Sequence, residues 1–513
     1  MVYLFGEFSF DPESLELRQD GKLQEVEPQV FSLLSCLIRN RDRVVSKDEL
    51  IEAVWGGRII TDGALNTRIN AARKAVGDDG KKQDVIKTFQ RRGYRFVADV
   101  SDGAAPKKQP HNLTPVSDKP SIAVLPFKNL SDDPEQEYFA DGITEDLIIG
   151  LSKLSGLLVI GRNSSFFYKE KTIDLEQVGQ ELAVHFVLEG SVRKSGNRVR
   201  ITAQLINAES GHHVWAERHD GALDDVFELQ DEITGKILDA LSVQLTSAEQ
   251  NRLTSQYTSN PEAHDSFMRG RIRYREPGPL ANAEAHGMFD RALALDQNFA
   301  WALAIRSYVR FHAWFFKWNT ATNGYTEALD DAERATALDP NLAAAHSYLG
   351  WIHMWGDGDG HKRALAEHQI SLSLDPNFAE GYVWYASTLI YSGQPEAAIE
   401  PMNRAMRLDP HFPPNFLINL GNIYLQLGRY DEAERQLKIV MQMAPDFPVT
   451  YIFLAATRAA AGDVAGARKA GAEIIKRIPG ATASGLGQQF PYANPEHLHR
   501  MVDGLRTAGL PDE

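Results

Sequence analysis

"ALNTRINAARKAVGDDGKKQDVIKTFQRRGYRF", residues 64–96, carries a charge at odds with the rest of its chain. The 513 residues have a formal net charge of -15. Residues 61–100 nevertheless hold nine Lys/Arg against five acids, while residues 1–60 hold seven bases against eleven acids. A polyanion is drawn to that one basic segment and repelled elsewhere, which orients its approach. On a helix, at about 100° per residue, Leu65, Ile69, Ala72 and Val76 fall on one narrow face that must be buried. Thr67, Asn70, Ala71 and Lys74 then point the opposite way, with Arg68 and Arg73 on the two shoulders. A polar strip between flanking cations suits a groove bounded by two rows of phosphates. The plain alternative is a solvated amphipathic helix.

The flanking sequence favours the first reading. Upstream, "YLFGEFSF" (3–10) and "LELRQDGKLQEVE" (15–27) alternate, and Asp20-Gly21 is a good hairpin turn, so a small antiparallel sheet is expected. Three helical segments follow: "PQVFSLLSCLIRN", then "KDELIEAVWGG" opened by a capping box from Ser46 to Glu49, then residues 63–76. Downstream, "DVIKTFQRRGYRFVADV" (84–100) alternates around a turn and reads as a second hairpin. The stretch 101–120, with Pro106, Pro110, Pro115 and Pro120, reads as an extended linker.

"DELIEAVWG", "ALNTRINAARKAVGDD" and "VIKTFQRRGYRF" together resemble the winged helix-turn-helix domain of OmpR/PhoB-type transcriptional regulators, over residues 1–100. The resemblance implies an α+β winged helix that binds double-stranded DNA. The helix around Arg68 to Lys74 would be the recognition helix, and Gln90, Arg91 and Arg92 the wing tip. On that basis Arg68, Arg73, Arg91 and Arg92 are expected on the phosphate backbone, and Thr67, Asn70 and Lys74 at base edges. Asn70, Ala71 and Ala72 replace the Arg-rich and Leu positions common in the family, so sequence preference does not carry over.

Residues 121–250 alternate strand, helix, strand, helix and then hairpins, which indicates an α/β layer. "IAVLPF", "YFADGITEDL", "VLEGSVR" and "VRITAQLINA" resemble the TolB-N-terminal-like or FlgO-like segment found in bacterial regulators and beside class III adenylate cyclases. Asp141, Glu145 and Asp146 form an acidic cluster, with Asp141 placed to cap a helix. His212 and His213, adjacent on a strand, face opposite sides and cannot readily share a metal; His219 lies farther on. No phosphate-cradling glycine loop or nucleophile signature is present. No catalytic residue, metal or cofactor is therefore expected.

From 260 to 480 the segments "ALDQNFAWA", "ALDPNLAAA", "SLDPNFAEG", "RLDPHFPPN" and "QMAPDFPVT" recur at intervals near 34 to 36 residues, apart from a longer first step. Leu420, Gly421, Tyr424, Gly428, Tyr430, Ala433, Leu437 and Pro445 stand at the spacings of a tetratricopeptide unit, which the segment resembles. An all-α superhelix follows, with 481–513 as a C-terminal cap or tail. Its concave face would present Trp351, Met354, Val383, Ile390, Asn415, Ile418, Asn422 and Leu425 to a protein or peptide. The aromatic "FHAWFFKW", residues 311–318, reads as core or an inter-domain contact.

The whole is expected to be a multidomain transcriptional regulator rather than an enzyme. Cys36 is the single cysteine, the N-terminus has no basic leader, and no apolar run reaches bilayer length. A cytoplasmic protein with no membrane contact, and a possible homodimer, is the expectation. An interaction scaffold that has lost specific DNA binding is the rival, and a component linked to adenylate cyclase signalling ranks third.

Overall fold

A computed structural model describes the chain except for residues 1, 13–15, 20, 21, 25, 56–61, 90, 91, 104–118, 170, 172, 173, 223–225, 254–257, 319–322, 357 and 513. It divides into two compact units, Met1–Thr114 and Pro115–Glu513.

The first unit opens with strands β1 (Val2–Phe5), β2 (Phe8–Asp11), β3 (Glu16–Gln19) and β4 (Lys22–Gln24). Antiparallel pairing runs through all four, and the expected turn at residues 20–21 lies outside the described residues. Helices α1 (Pro28–Arg39), α2 (Lys47–Trp55) and α3 (Asp62–Ala75) follow, then the hairpin β5 (Ile86–Phe89) and β6 (Gly93–Phe96). A further strand, β7 (Ser101–Gly103), pairs with β1, so the sheet reaches into the segment expected to be linker. The capping box forms: Ser46 N–H donates to Glu49 Oε2 at 2.8 Å and Glu49 N–H to Ser46 Oγ at 3.2 Å. Those bonds hold the Glu49 carboxyl below its usual range. Phe10, Leu33, Leu34, Leu37, Leu50, Leu65, Ile69, Ala72, Ile86 and Phe96 make the core, each at most 1% exposed. Burying a Leu or Ile side chain stabilises by roughly 1.5–3 kcal/mol, so the apolar stripe of α3 fixes which way that helix faces.

The second unit begins with an α/β layer. Strands β8 (Ser121–Val124) and β9 (Lys128–Asn129) precede α4 (Glu137–Ser152), β10 (Leu158–Val159), α5 (Arg162–Phe166) and α6 (Leu175–Leu182). The long strands β11 (Phe186–Ser195), β12 (Arg198–Asn207) and β13 (His213–Ala222) come next, then α7 (Val226–Ala240) and α8 (Ser247–Leu253). Sheet order is β10-β8-β11-β12-β13, parallel on both sides of β8 and antiparallel beyond β11. Every second residue of β12, Val199, Ile201, Ala203 and Leu205, joins the core shared with Ile143 and Leu147 of α4 and Ile233 and Ile237 of α7. Asp141 lies inside α4, a turn past its start, and not at its N-terminus as expected; Lys169 Nζ donates to both its carboxylate oxygens at 2.7 Å.

Six helix pairs follow: α9 (Pro261–Arg273) with α10 (Pro279–Leu295), α11 (Ala300–Phe315) with α12 (Gly324–Leu338), and α13 (Ala343–Met354) with α14 (Gly360–Leu374). Then come α15 (Ala379–Tyr391) with α16 (Ile399–Leu408), α17 (Pro414–Gln426) with α18 (Tyr430–Met443), and α19 (Pro448–Ala460) with α20 (Val464–Arg477). Paired helices approach closely at small residues: a Cβ on Gly421 would meet Leu437 Cγ at 2.9 Å. The recurring Asp-x-Asn of the turns has a local cause, since Asp296, Asp339 and Asp375 each accept a backbone N–H two residues on, at 3.0 Å. Phe311 and Ala313 are buried, and Phe311 sits 5.9 Å from Trp355 in ring centroids, so the start of the aromatic stretch is core, while Phe316 is exposed. Of two last helices, α21 (Ala483–Gln488) and α22 (Pro495–Thr507), α22 packs on α19 and α20, and α21 packs on α22.

The repeat turns also bind the α/β layer. The Asn377 amide donates to the carbonyls of Ser152, Leu154 and Leu157 at 2.9–3.2 Å. Asp409 accepts from Ser164 N–H at 2.7 Å and from Asn163 Nδ2 at 2.6 Å. Arg407 donates to the carbonyls of Leu182 and Ala183, at the end of α6.

Candidate functional site

Helix α3 buries Leu65, Ile69, Ala72 and Val76 and leaves Gly63, Thr67, Asn70 and Lys74 exposed. Those four sit at i, i+4, i+7 and i+11, one continuous stripe. The Thr67 hydroxyl donates to the Gly63 carbonyl at 2.8 Å. Asn70 and Lys74 have no side-chain hydrogen bond or ion pair among the described residues. Arg68 is paired with Glu27, whose side chain is 63% exposed. Such a surface pair is worth about 0–1 kcal/mol, so a phosphate can displace the glutamate.

Arg73 is the correction. Expected on an exposed shoulder, it is only 5% exposed. Its Nε and Nη2 donate to the Ile86 carbonyl at 3.0 and 2.8 Å, and Nη2 to Thr88 Oγ1 at 2.8 Å. A helical wheel places Arg73 at the border of the apolar stripe, and β5 covers that border. The guanidinium therefore fastens the hairpin to α3 and is not available to a phosphate.

Two further fastenings were not anticipated. The Tyr94 hydroxyl donates to Asn66 Oδ1 at 2.8 Å, tying β6 to α3. Asp78 gathers the backbone N–H groups of Asp79, Asp84, Val85 and Ile86 at 2.8–3.1 Å. Burial pushes its carboxyl up, but the N–H groups of Ile86, Val85, Asp79 and Asp84 outweigh that and hold its pKa below the usual range. Gly93, at φ +134°, faces the Val45 backbone so closely that any Cβ would overlap the Val45 carbonyl oxygen. Val45 and Tyr94 exchange backbone hydrogen bonds of 2.8 and 2.9 Å across that contact. At the wing tip Gln90 and Arg91 lie outside the described residues; Arg92 is exposed, as are Lys81, Lys82 and Lys87.

The repeats do not present the groove expected of them. Met354, Val383, Ile390, Ile418, Asn422 and Leu425 are each at most 6% exposed, because first helices of neighbouring units pack directly on one another. Trp351 is half-buried and Asn415 exposed. The segment after α21 closes the face. Tyr492 donates its hydroxyl to Asn422 Oδ1 at 2.7 Å and accepts from Gln426 Nε2 at 3.1 Å. Arg500 Nη1 donates to the Leu425 and Gln426 carbonyls, and the Ala493 N–H to the Tyr391 carbonyl at 2.8 Å. Residues 490–500 thus occupy part of the face from within the same chain.

The acidic cluster of α4 is structural. Arg271 donates to Asp146 Oδ1 at 2.6 Å and to Glu145 Oε2 at 2.5 Å. Burial alone would raise the Glu145 carboxyl, yet Arg275, Arg271 and Arg162 hold it well below its usual range. His212 and His213 are exposed, and His219 is buried with Nδ1 3.4 Å from Glu232. Among the described residues no group of three or more His, Cys, Asp or Glu is placed to hold a metal ion, and no helix is long and apolar enough to cross a membrane.

Three stretches match known families. Residues 21–96 match the transcriptional regulatory protein C-terminal domain, 117–236 the second domain of HilA/YgeH-like transcriptional regulators, and 389–446 the tetratricopeptide repeat. The chain is 48% identical over 238 residues to "Putative adenylate cyclase 3" of Rhizobium meliloti, an alignment covering 46% of this chain and 40% of that one. It is 22% identical over 461 residues to the transcriptional regulator HilA of Salmonella typhi, covering 87% of this chain and 78% of HilA. Among solved structures, a thermophilic tetratricopeptide-repeat protein of Thermus thermophilus is 17% identical with a TM-score of 0.32, covering 39% of this chain and 98% of that one. The N-terminal winged helix, the mixed-sheet domain of HilA/YgeH type and the helical repeats are the parts of this multidomain chain.

Proposed function

We propose that this chain is a transcriptional regulator that inserts α3 into the major groove of double-stranded DNA and takes its input through the second unit. The observation that carries it is the exposed stripe of Thr67, Asn70 and Lys74, rigidly backed by the buried Leu65, Ile69 and Ala72. Asn70 has the donor and acceptor to read one base edge, and Lys74 the charge for a guanine edge or a phosphate. Arg68, Arg92 and the wing residues Gln90 and Arg91 contact the backbone, while Arg73 holds the hairpin in register. The domain match at 21–96 and the likeness to HilA over most of the chain support this reading.

The middle domain relays between the repeats and the winged helix. Its turns are bonded directly to Asn377, Arg407 and Asp409, which supports such a role. The repeats engage a protein partner, and the free margin of the face near Asn415 and Trp351 is where contact begins. The protein acts in the cytoplasm, without catalysis, and pairs as a homodimer on two half-sites.

Selection of full-length chain against a random duplex library, followed by affinity measured at several salt concentrations, tests the proposal. Enrichment of one motif with a steep salt dependence supports it. Salt-dependent binding without enrichment would leave an interaction scaffold as the better reading.

A further inference from the structure

Between the α/β layer and the repeats lies a cavity of about 120 Å³, lined by α4, α5, α9, α11, α13, the start of α15 and the turns before α13 and α15. At a liquid-water share of roughly 30 Å³ per molecule, that is the space of about four waters. Its walls are of two kinds. Trp301, Ile305, Leu342 and Phe378 form an apolar side. Arg275, Glu380 and Tyr348 also line it, together with the charged Glu145, Lys153, Arg162, Arg271, Asp375 and Asp409.

The charges in this cavity are unevenly matched. Glu145 is already held by Arg162 and by Arg271, whose Nη2 lies 2.5 Å away. Arg275 reaches the same carboxylate only at 3.5 Å and meets Glu380 at 3.9 Å. Its guanidinium donates no hydrogen bond among the described residues, and its Nε is buried without a partner. A guanidinium carries five donors in a fixed fork, and here two carboxylates at 3.5 and 3.9 Å are its ion-pair contacts, neither at close hydrogen-bonding distance. Glu380 lines the same cavity, and its nearest ion-pair contact is this Arg275 at 3.9 Å, with Arg162 farther off. A cation and a carboxylate therefore stand side by side, neither closely paired, in a chamber with one apolar side.

We propose that this cavity binds a free α-amino acid with an apolar side chain. Arg275 takes the ligand carboxylate in a two-pronged hydrogen bond, and Glu380 takes the ammonium carried on the adjacent carbon. The side chain lies against Trp301, Ile305 and Phe378. A simple carboxylate would leave Glu380 unpaired, and a simple amine would leave Arg275 unpaired, so the site selects the zwitterion. Because α9 and the turn before α15 both contribute walls, occupation couples the repeats to the α/β layer. The inference concerns the second unit alone and stands apart from DNA binding.

The test is calorimetric titration of the full-length chain with each of the twenty free L-amino acids. 4-Methylpentanoate and isoamylamine, which are leucine without its ammonium and without its carboxylate, are titrated in parallel. One or more apolar amino acids should bind one per chain, and both truncated molecules at least about tenfold more weakly, the loss of one charge-assisted contact. Glu380→Gln, nearly isosteric, should weaken amino-acid binding about tenfold without lowering the melting temperature; Arg275→Met should abolish it. Absence of binding by every amino acid at millimolar concentration overturns the proposal, as does 4-methylpentanoate binding as tightly as leucine. That ligand-side comparison uses the unaltered chain and holds even if the Arg275 variant does not fold.

Discussion

Replacing Arg73 by alanine separates the two roles that a cation on α3 can have. The side chain makes three hydrogen bonds of 2.8–3.0 Å to Ile86 and Thr88 and is nearly fully buried. Hydrogen bonds from a charged donor contribute about 1.5–3 kcal/mol. Truncation also leaves the Ile86 carbonyl short of donors, so a loss of roughly 2–4 kcal/mol is expected. For a unit of this size that is a fall in melting temperature of roughly 10–25 °C. The comparison is Lys74→Ala one residue on, where an exposed side chain without partners is removed and stability should stay within about 0.5 kcal/mol. Binding of full-length chain to a selected duplex is then measured against salt at a temperature where both variants are folded. Arg73→Ala should keep the slope of log affinity against log salt, whereas Lys74→Ala, if it contacts phosphate, should make it shallower by about 0.9. An unchanged melting temperature for Arg73→Ala together with a slope reduced by about one would refute the buried placement and put Arg73 on the DNA.

Other outcomes follow from single contacts. Asn70→Ala should leave stability unchanged and relax preference at one base pair by about 1–3 kcal/mol, read from competition among duplexes differing at each position. Glu27→Gln frees Arg68 and should raise DNA affinity by less than about fivefold at low salt, an increase that vanishes at high salt. His368 is buried and His312 half-buried, and the desolvation lowers their pKa to about 3 and about 4. Both folded values lie below that of the unfolded chain, so stability is complete above about pH 6.5 and declines as pH falls toward those values; near pH 5 each histidine should cost about 2 kcal/mol, measured by denaturant titration. Tyr492→Ala removes the ring set edge-on to Tyr391 and the bonds to Asn422 and Gln426. It should destabilise the second unit by roughly 3–5 kcal/mol and expose residues 481–513 to protease, with the first unit unaffected.

The periodic features of this molecule were legible in its sequence, and the contacts that cross between elements were not. Leu65, Ile69, Ala72 and Val76 announce their burial by spacing alone, and the Asp-x-Asn turns announce the repeats because each turn is closed by its own side chain. The capping box at Ser46 and Glu49 is equally local. Arg73 is different, since a wheel places a residue around an axis and says nothing of what covers it; β5, thirteen residues later, decides. Asn377 closes its own turn like its counterparts and also spans to the α/β layer, and nothing in the repeat distinguishes it. The groove residues fail for a related reason. Met354, Val383 and Ile418 were placed on an inner face by register, but register does not say how closely successive helices approach or that residues 490–500 return to cover that face. The cavity at Arg275 arises from α4 and α9, more than a hundred residues apart, and has no signature in either.

The central claim, that α3 enters the major groove by its Thr67–Asn70–Lys74 stripe, is tested most directly by disulfide cross-linking to DNA. Asn70→Cys in a Cys36→Ser background is mixed with the selected duplex carrying a thiol tether either on cytosine N4, in the major groove, or on guanine N2, in the minor groove. The account predicts cross-linking to the cytosine tether at one position of the site and none to the guanine tether. Equal yields from both, or a yield no higher than from a duplex outside the selected motif, would contradict it.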